Sequence, residues 1–260
     1  MNGIDISHHN KRVVGKKLFN KVDFVMMKAS EGTNFKDPML DEYYNIIHGK
    51  KDGKPDCYEN YGFYHFARPD KNKAIKEAKY FLSLVKHHAG YAAFALDWEQ
   101  VALKYSASWA KTWLDYVYER TGTKPLIYLQ SSELKTNKYD KILKDYPLWV
   151  AHWDVKNPET YGHNYAIWQN GIEKFIDRNI FKGTTYNWNR LAGRQGELIN
   201  KISVGDRIKL LTRTDYNGVI NAGWVMKEIF TVGSIRGDRV VVCKNGLVTG
   251  AWHITDVKLV

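Results

Sequence analysis

Cysteine is scarce. The 260-residue chain has two, Cys57 and Cys243, too few and too far apart for a disulfide framework or an all-cysteine metal site. Proline is scarce too, at six residues. With 44% hydrophobic and 26% charged residues, a disordered or fibrous chain is excluded. No apolar run approaches the roughly 20 residues that span a bilayer. The opening MNGIDISHHN lacks the apolar stretch of a secretory signal. The expectation is a soluble product made in a cytoplasm, needing a separate release route if it acts outside. There is no Gly-rich phosphate loop, no G-x-S-x-G elbow and no basic recognition helix.

Positive charge and aromatic rings are plentiful. The net charge is +11, of which the first 200 residues carry +7 and the last 60 carry +4. A dispersed excess of this size implies a polyanion, whether nucleic acid, anionic lipid or an acidic wall polymer. Aromatics reach 14%, with 9 Trp and 17 Tyr, more amphipathic rings than a core needs.

Residues 1–182 alternate short apolar runs with helical periodicity. Strands are expected at Gly3–Ser7, Phe24–Ser30, Gly62–Ala67, Ala92–Glu99, Pro125–Gln130, Leu148–Trp153, Tyr165–Asn170 and Phe175–Phe181, and the clearest helix at 101–120. Strand–helix alternation predicts a parallel sheet, and eight strands predict closure into a barrel. The short, Asn/Gly-rich gaps between the last three strands leave no room for crossover helices. The fold class is α/β, an irregular (β/α) barrel with helices lost in its second half. Residues 183–200 read as a linker. Residues 201–260 read as a small all-β barrel, with turns at Tyr216-Asn217-Gly218, Arg236-Gly237-Asp238 and Lys244-Asn245-Gly246.

The sharpest chemical signal is Ala-Phe-Ala-Leu-Asp97-Trp98-Glu99. Alternation puts Ala93, Ala95, Asp97 and Glu99 on one face, with both acids at the strand's C-terminal end, where barrel active sites lie. Two carboxyls one pleat apart resist joint ionisation, so one keeps its proton. Glu99 is the expected proton donor, with Asp97 ionised beside it. Asp5 and Asp177, on the first and last strands, are expected at the same rim. The four acids read as a hydrolytic site or as an oxygen-ligand cage for a divalent ion. Tyr64, Tyr128, Trp153 and Trp168 recur at strand ends and suit a carbohydrate; Trp98 points the other way, toward the core. His8-His9 and His65 lack the spacing of a zinc site.

In this order, Gly3–Ser7, Phe24–Phe35, Gly62–Arg68, Leu96–Glu99, Leu126–Tyr128, Leu148–Trp153, Ala166–Gln169 and Asp177 with Asn179 resemble the glycoside hydrolase family 25 lysozymes, especially phage endolysins. The resemblance implies cleavage of the β-1,4 bond between N-acetylmuramic acid and N-acetylglucosamine in peptidoglycan. It puts the proton donor on Glu99, the partner carboxylate on Asp97 and the flanking acids on Asp5 and Asp177. It adds Gln169 to the substrate contacts and requires no metal or other cofactor. Residues 201–260 resemble SH3-like wall-binding domains, through Val204-Gly205-Asp206 and Gly250-Ala251-Trp252. Trp224 and Trp252 are either its ligand platform or its core. The implied partners are peptidoglycan and its acidic polymers, with no nucleic acid, membrane or obligate protein partner. A non-catalytic peptidoglycan binder and a chitin-type hydrolase remain as alternatives.

Overall fold

The structure, a computed structural model, describes residues 1–12, 21–48, 50–51, 54–55, 60–194, 202–236 and 239–260. Cys57, the Gly237-Asp238 turn and residues 195–200 of the expected linker lie outside these. The chain divides into two compact units, Met1–Gly193 and Arg194–Val260.

In the first unit eight strands close a barrel: β1 (Asn2–Ile6), β2 (Phe24–Glu31), β3 (Tyr61–Phe66), β4 (Ala93–Asp97), β5 (Leu126–Gln130), β6 (Leu148–Ala151), β7 (Tyr165–Glu173) and β8 (Ile176–Phe181). They pair in that order, and β1 pairs with both β2 and β8. The first seven are parallel, as the alternating pattern predicts. The eighth runs antiparallel to both neighbours. Two residues, Lys174 and Phe175, join β7 to β8, whereas a parallel crossover needs a dozen or more. Their φ values, 51° and 67°, match the mirror-image turn that suits a two-residue hairpin.

Period-two alternation sorts the core. Inward side chains include Phe24, Met26, Leu126, Trp149, Ile167 and Phe181. Outward ones, among them Val25, Phe63, Phe94, Leu96 and Val150, meet the helices. A Cβ on Gly62 would fall 2.5 Å from Met26 Sδ, so only glycine lets that interior close. Helices α1 (Leu40–His48), α2 (Ala74–Val85), α3 (Ala107–Thr121) and the short α4 (Asp140–Leu143) follow β2, β3, β4 and β5. Among the described residues no helix follows β6 or β7, in line with their short connections.

The clearest helix starts later than its periodicity suggested. Gln100–Lys104 forms a tight 3-10 turn, and Ser106 then caps α3 by accepting from Ser108 N–H. Gly122 ends it at φ 70°. On α3, Ala110, Trp113, Leu114 and Val117 are buried. The start of the expected linker is corrected: Thr185–Leu191 is a helix, α5. Its Trp188 is fully buried among Phe24 and Phe181, 4.8 and 5.2 Å between ring centroids, and floors the barrel.

The second unit is an antiparallel sheet of five strands: β9 (Arg207–Leu210), β10 (Phe230–Arg236), β11 (Arg239–Lys244), β12 (Leu247–His253) and β13 (Val257–Leu259). Its core contains Ile208, Phe230, Val232, Val240, Val242 and Trp252. A 3-10 turn, Gly223–Lys227, precedes β10.

Candidate active site

The C-terminal ends of the parallel strands open into one cleft. Asp5 comes from β1 and Asp97 ends β4. Backbone at Glu99 is still extended (φ −142°), so the alternation of β4 runs past the strand's end and sends Asp97 and Glu99 to one side. Gln100 then turns the chain away at φ 51°. Because β8 is reversed, Asp177 near its start sits at the same rim, in register with Asp5. All four acids line a cavity of about 320 Å³, together with Tyr64, Tyr128, Trp149, Trp153 and Gln169. A second lobe of about 440 Å³ opens beyond Glu99, Tyr128 and Trp153, which it shares with the first.

Asp5 is 7% exposed, and its Oδ2 accepts from Gln169 Nε2 (3.0 Å) and Asn179 Nδ2 (2.7 Å). Both amides are oriented by further bonds. Gln169 Oε1 accepts from Tyr128 OH and Trp153 Nε1, each at 2.9 Å. Asn179 Oδ1 accepts from Trp149 Nε1 at 2.8 Å. The cleft floor is thus one hydrogen-bonded network aimed at a single carboxyl. Asp97 Oδ1, by contrast, is buried with no hydrogen-bond partner. Glu99 Oε1 accepts from Gln100 Nε2 at 3.2 Å.

The four carboxyls share an electrostatic problem. Burial, then the charge of Asp177, raises Asp5 to about 7, against the pull of its two amide donors. Burial and the Glu99 charge push Asp97 well above the carboxylate range. Burial and Asp177 raise Glu99, partly offset by the Gln100 bond and by Lys28. Burial raises Asp177. Such a cluster resists full ionisation at neutral pH, and its titration steps belong to the group rather than to single members. The cation lining this lobe, Lys28, is 7% exposed and is held by Glu31 at 2.9 Å. Among the described residues no group of three or more His, Cys, Asp or Glu is disposed to hold a metal ion.

The barrel has counterparts in known proteins. The sequence pattern of glycosyl hydrolases family 25 matches residues 4–175. The chain belongs to that family. It is 30% identical over 216 residues to the N,O-diacetylmuramidase of Arthroderma benhamiae, spanning 73% of this chain and 86% of that protein. It is 26% identical over 209 residues to lysozyme M1 of Streptomyces globisporus, spanning 70% and 68%. Among solved structures, the catalytic domain of endolysin ply40 from bacteriophage P40 of Listeria monocytogenes is similar at a TM-score of 0.57 and 28% identity, over 74% of this chain and 97% of that one. The protein is a lysozyme-type glycosidase.

In this family 25 enzyme, Tyr64, Tyr128, Trp153 and Gln169 line the cleft. Trp168 does not. It neighbours Gln169 on β7, so it faces the outer cluster and donates its indole N–H to His152 O at 2.8 Å. Trp98 is fully buried and bonded to Tyr139 OH. His65 is also fully buried, between Ser30 Oγ and Glu77 Oε2, each at 2.8 Å, and takes no part in the cleft. Trp149, His9 and Asn10 line the cleft without having been singled out as substrate contacts. Trp149 was detectable, since it lies an even number of residues from Trp153 on one strand run.

Proposed function

We propose that this lysozyme cleaves the β-1,4 bond between N-acetylmuramic acid and N-acetylglucosamine in peptidoglycan, with Glu99 as general acid and then base. The observation that supports it best is the convergence of Asp5, Asp97, Glu99 and Asp177 on one cleft, every one pushed toward its protonated form. A glycosidic oxygen needs a proton as it leaves, and Glu99 sits where the two lobes meet. The 2-acetamido oxygen attacks C1 as that bond breaks, giving an oxazolinium. The unpartnered Asp97 Oδ1 accepts the acetamido N–H. That bond favours Asp97 as the carboxylate and leaves the shared proton on Glu99. Glu99, now ionised, takes a proton from water as the water opens the ring, so configuration is retained.

Residues 1–182 carry the catalysis in this reading. Residues 201–260 act as an SH3-like wall-binding domain of a phage endolysin, reaching the wall after release from the cytoplasm. The +11 charge favours a wall rich in acidic polymers, and tethering raises the local concentration of substrate. Trp224 is 48% exposed with Lys244 over its ring, which suits a ligand platform. Trp252 is fully buried and bonded to Thr212 O, so it serves the core. Mass spectrometry of digested walls tests the activity. Reducing ends on muramic acid are expected; reducing ends on glucosamine would assign a glucosaminidase instead.

A further inference from the structure

The two lobes that meet at Glu99 differ in charge. The first holds four carboxyls, and its buried Lys28 is committed to Glu31. In the second, Glu99 is the only carboxyl in the lining among the described residues, the exposed Glu159 carboxylate being bonded to Tyr161 N–H at its edge, and Lys135 and His152 stand against it. Lys135 is exposed and makes no ion pair among the described residues. His152 Nδ1 accepts from Glu159 N–H at 3.0 Å, so the neutral ring carries its hydrogen on Nε2 as a donor.

The second lobe is also a built surface. Glu159 ties three of its lining residues together: His152 through its N–H, Ser131 Oγ through its carbonyl (2.6 Å), and Tyr161 N–H through Oε1 (3.0 Å). The stretch that does this replaces the crossover helix after β6. Two of its non-glycine residues, Asp154 and Tyr161, hold left-handed φ values of 57° and 51°. Backbone of that kind persists where surrounding bonds over-determine it, and it concentrates at ligand sites.

We infer that the Lys135 lobe is a carboxylate-binding subsite, which seats the acidic substituent of a wall glycan and so fixes which way the chain lies across Glu99. The inference rests on the muramidase reading. In such a glycan every second sugar carries a lactyl ether that ends in a carboxylate or in a stem peptide bearing carboxylates. That charge is repelled by whatever negative charge the four-acid lobe retains and is attracted by Lys135 in the other. The shared chemistry is a carboxylate, whether lactyl or peptidic.

The test is steady-state kinetics at low salt on three preparations of one wall. These are intact walls, walls stripped of stem peptides by an amidase, and walls whose carboxyls have been amidated with a carbodiimide. Lys135→Gln should raise KM on intact walls about two- to fivefold, the worth of an exposed charge pair, with a smaller change in kcat. Lys135→Glu should raise it further, and added salt should close the gap. On amidated walls the Lys135 variants should match wild type. Lys141→Gln, which removes the same charge from α4, is the control and should change nothing. An effect that survives the amidase identifies the lactyl carboxylate; one that vanishes identifies the stem peptide. An unchanged KM on intact walls, or equal losses on intact and amidated walls, would overturn the inference. Calorimetric binding of N-acetylmuramoyl dipeptide to wild type and Lys135→Gln tests the lobe without turnover. Wall lysis that survives Glu99→Gln would sink the muramidase reading without touching that result.

Discussion

Below the cleft the barrel is filled by Phe24, Met26, Phe181 and Trp188, while its upper interior holds Asp5 with Asp97, Glu99 and Asp177 around the mouth. The second unit buries Ile208, Phe230, Val232, Val242 and Trp252, and its buried residues include no carboxylate among those described. One unit therefore tolerates a cluster of acids that oppose its own folding at neutral pH, whereas the other has, among its described residues, a single half-buried carboxyl pushed upward by burial, Asp256. The proposed mechanism accounts for the contrast, because a proton held at neutral pH requires a carboxyl placed where it resists ionisation.

The largest expected effect falls on the acid-bearing unit alone. Glu99→Gln should slow release of reducing ends from purified walls about 10²–10⁴-fold, the range for loss of a general acid. Folding should survive, since one repulsive charge is removed. Lysis at an undiminished rate would break the comparison at its root.

The two apolar floors are compared by paired truncation. Trp188→Ala should destabilise the barrel, and Trp252→Ala the second unit, each by about 3–5 kcal/mol. Urea unfolding followed by fluorescence and circular dichroism measures both. Trp252→Ala should lower retention on sedimented walls while hydrolysis of soluble glycan fragments persists. Loss of both activities together would blur the division of labour.

The acids predict a pH response in the barrel. Asp5 is raised to about 7 when folded, above its unfolded value near ~3.9. A group shifted upward lends its stability below the unfolded pKa, and that contribution is lost as pH rises through the folded one. The barrel should thus weaken between about pH 4 and pH 8. Asp5→Asn should recover part of the loss, with an upper bound of about 4 kcal/mol at pH 8 and almost nothing at pH 4. Urea midpoints against pH decide this, and a barrel equally stable at both values would contradict it.

The smallest effect concerns strain. Phe175 is 78% exposed at φ 67°, a conformation that suits glycine. Phe175→Gly should stabilise the barrel by up to about 1 kcal/mol, read as a rise in Tm.

Much of this was legible in residues. The acid pair could be read because alternation in Ala93–Glu99 is strict and its two faces differ in polarity. The missing helices could be read because Asp154–His163 is too short and too rich in turn formers to hold one. Three features were hidden. Helix α5 lies in a run rich in Asn and Gly, and its signal, a Thr184–Asn187 capping box before Trp188, was too local to outweigh that composition. Trp168 reads as a cleft residue from its strand-end position, but two adjacent strand residues cannot both face the cleft, and Gln169 takes that face. Trp224 and Trp252 look alike in sequence. Which one is covered depends on long-range pairing, with Trp252 opposite Val240 across the sheet.

The shared proton is tested most directly by a ¹³C NMR titration of the Asp and Glu carboxyl groups in the free enzyme. Asp97 and Glu99 should titrate in two linked steps, at least one well above the ordinary carboxylate range, and Glu99→Gln should replace them with a single step at lower pH for Asp97. If both carboxyls ionise independently near pH 4, no proton is held between them, and the account of Glu99 as acid is wrong.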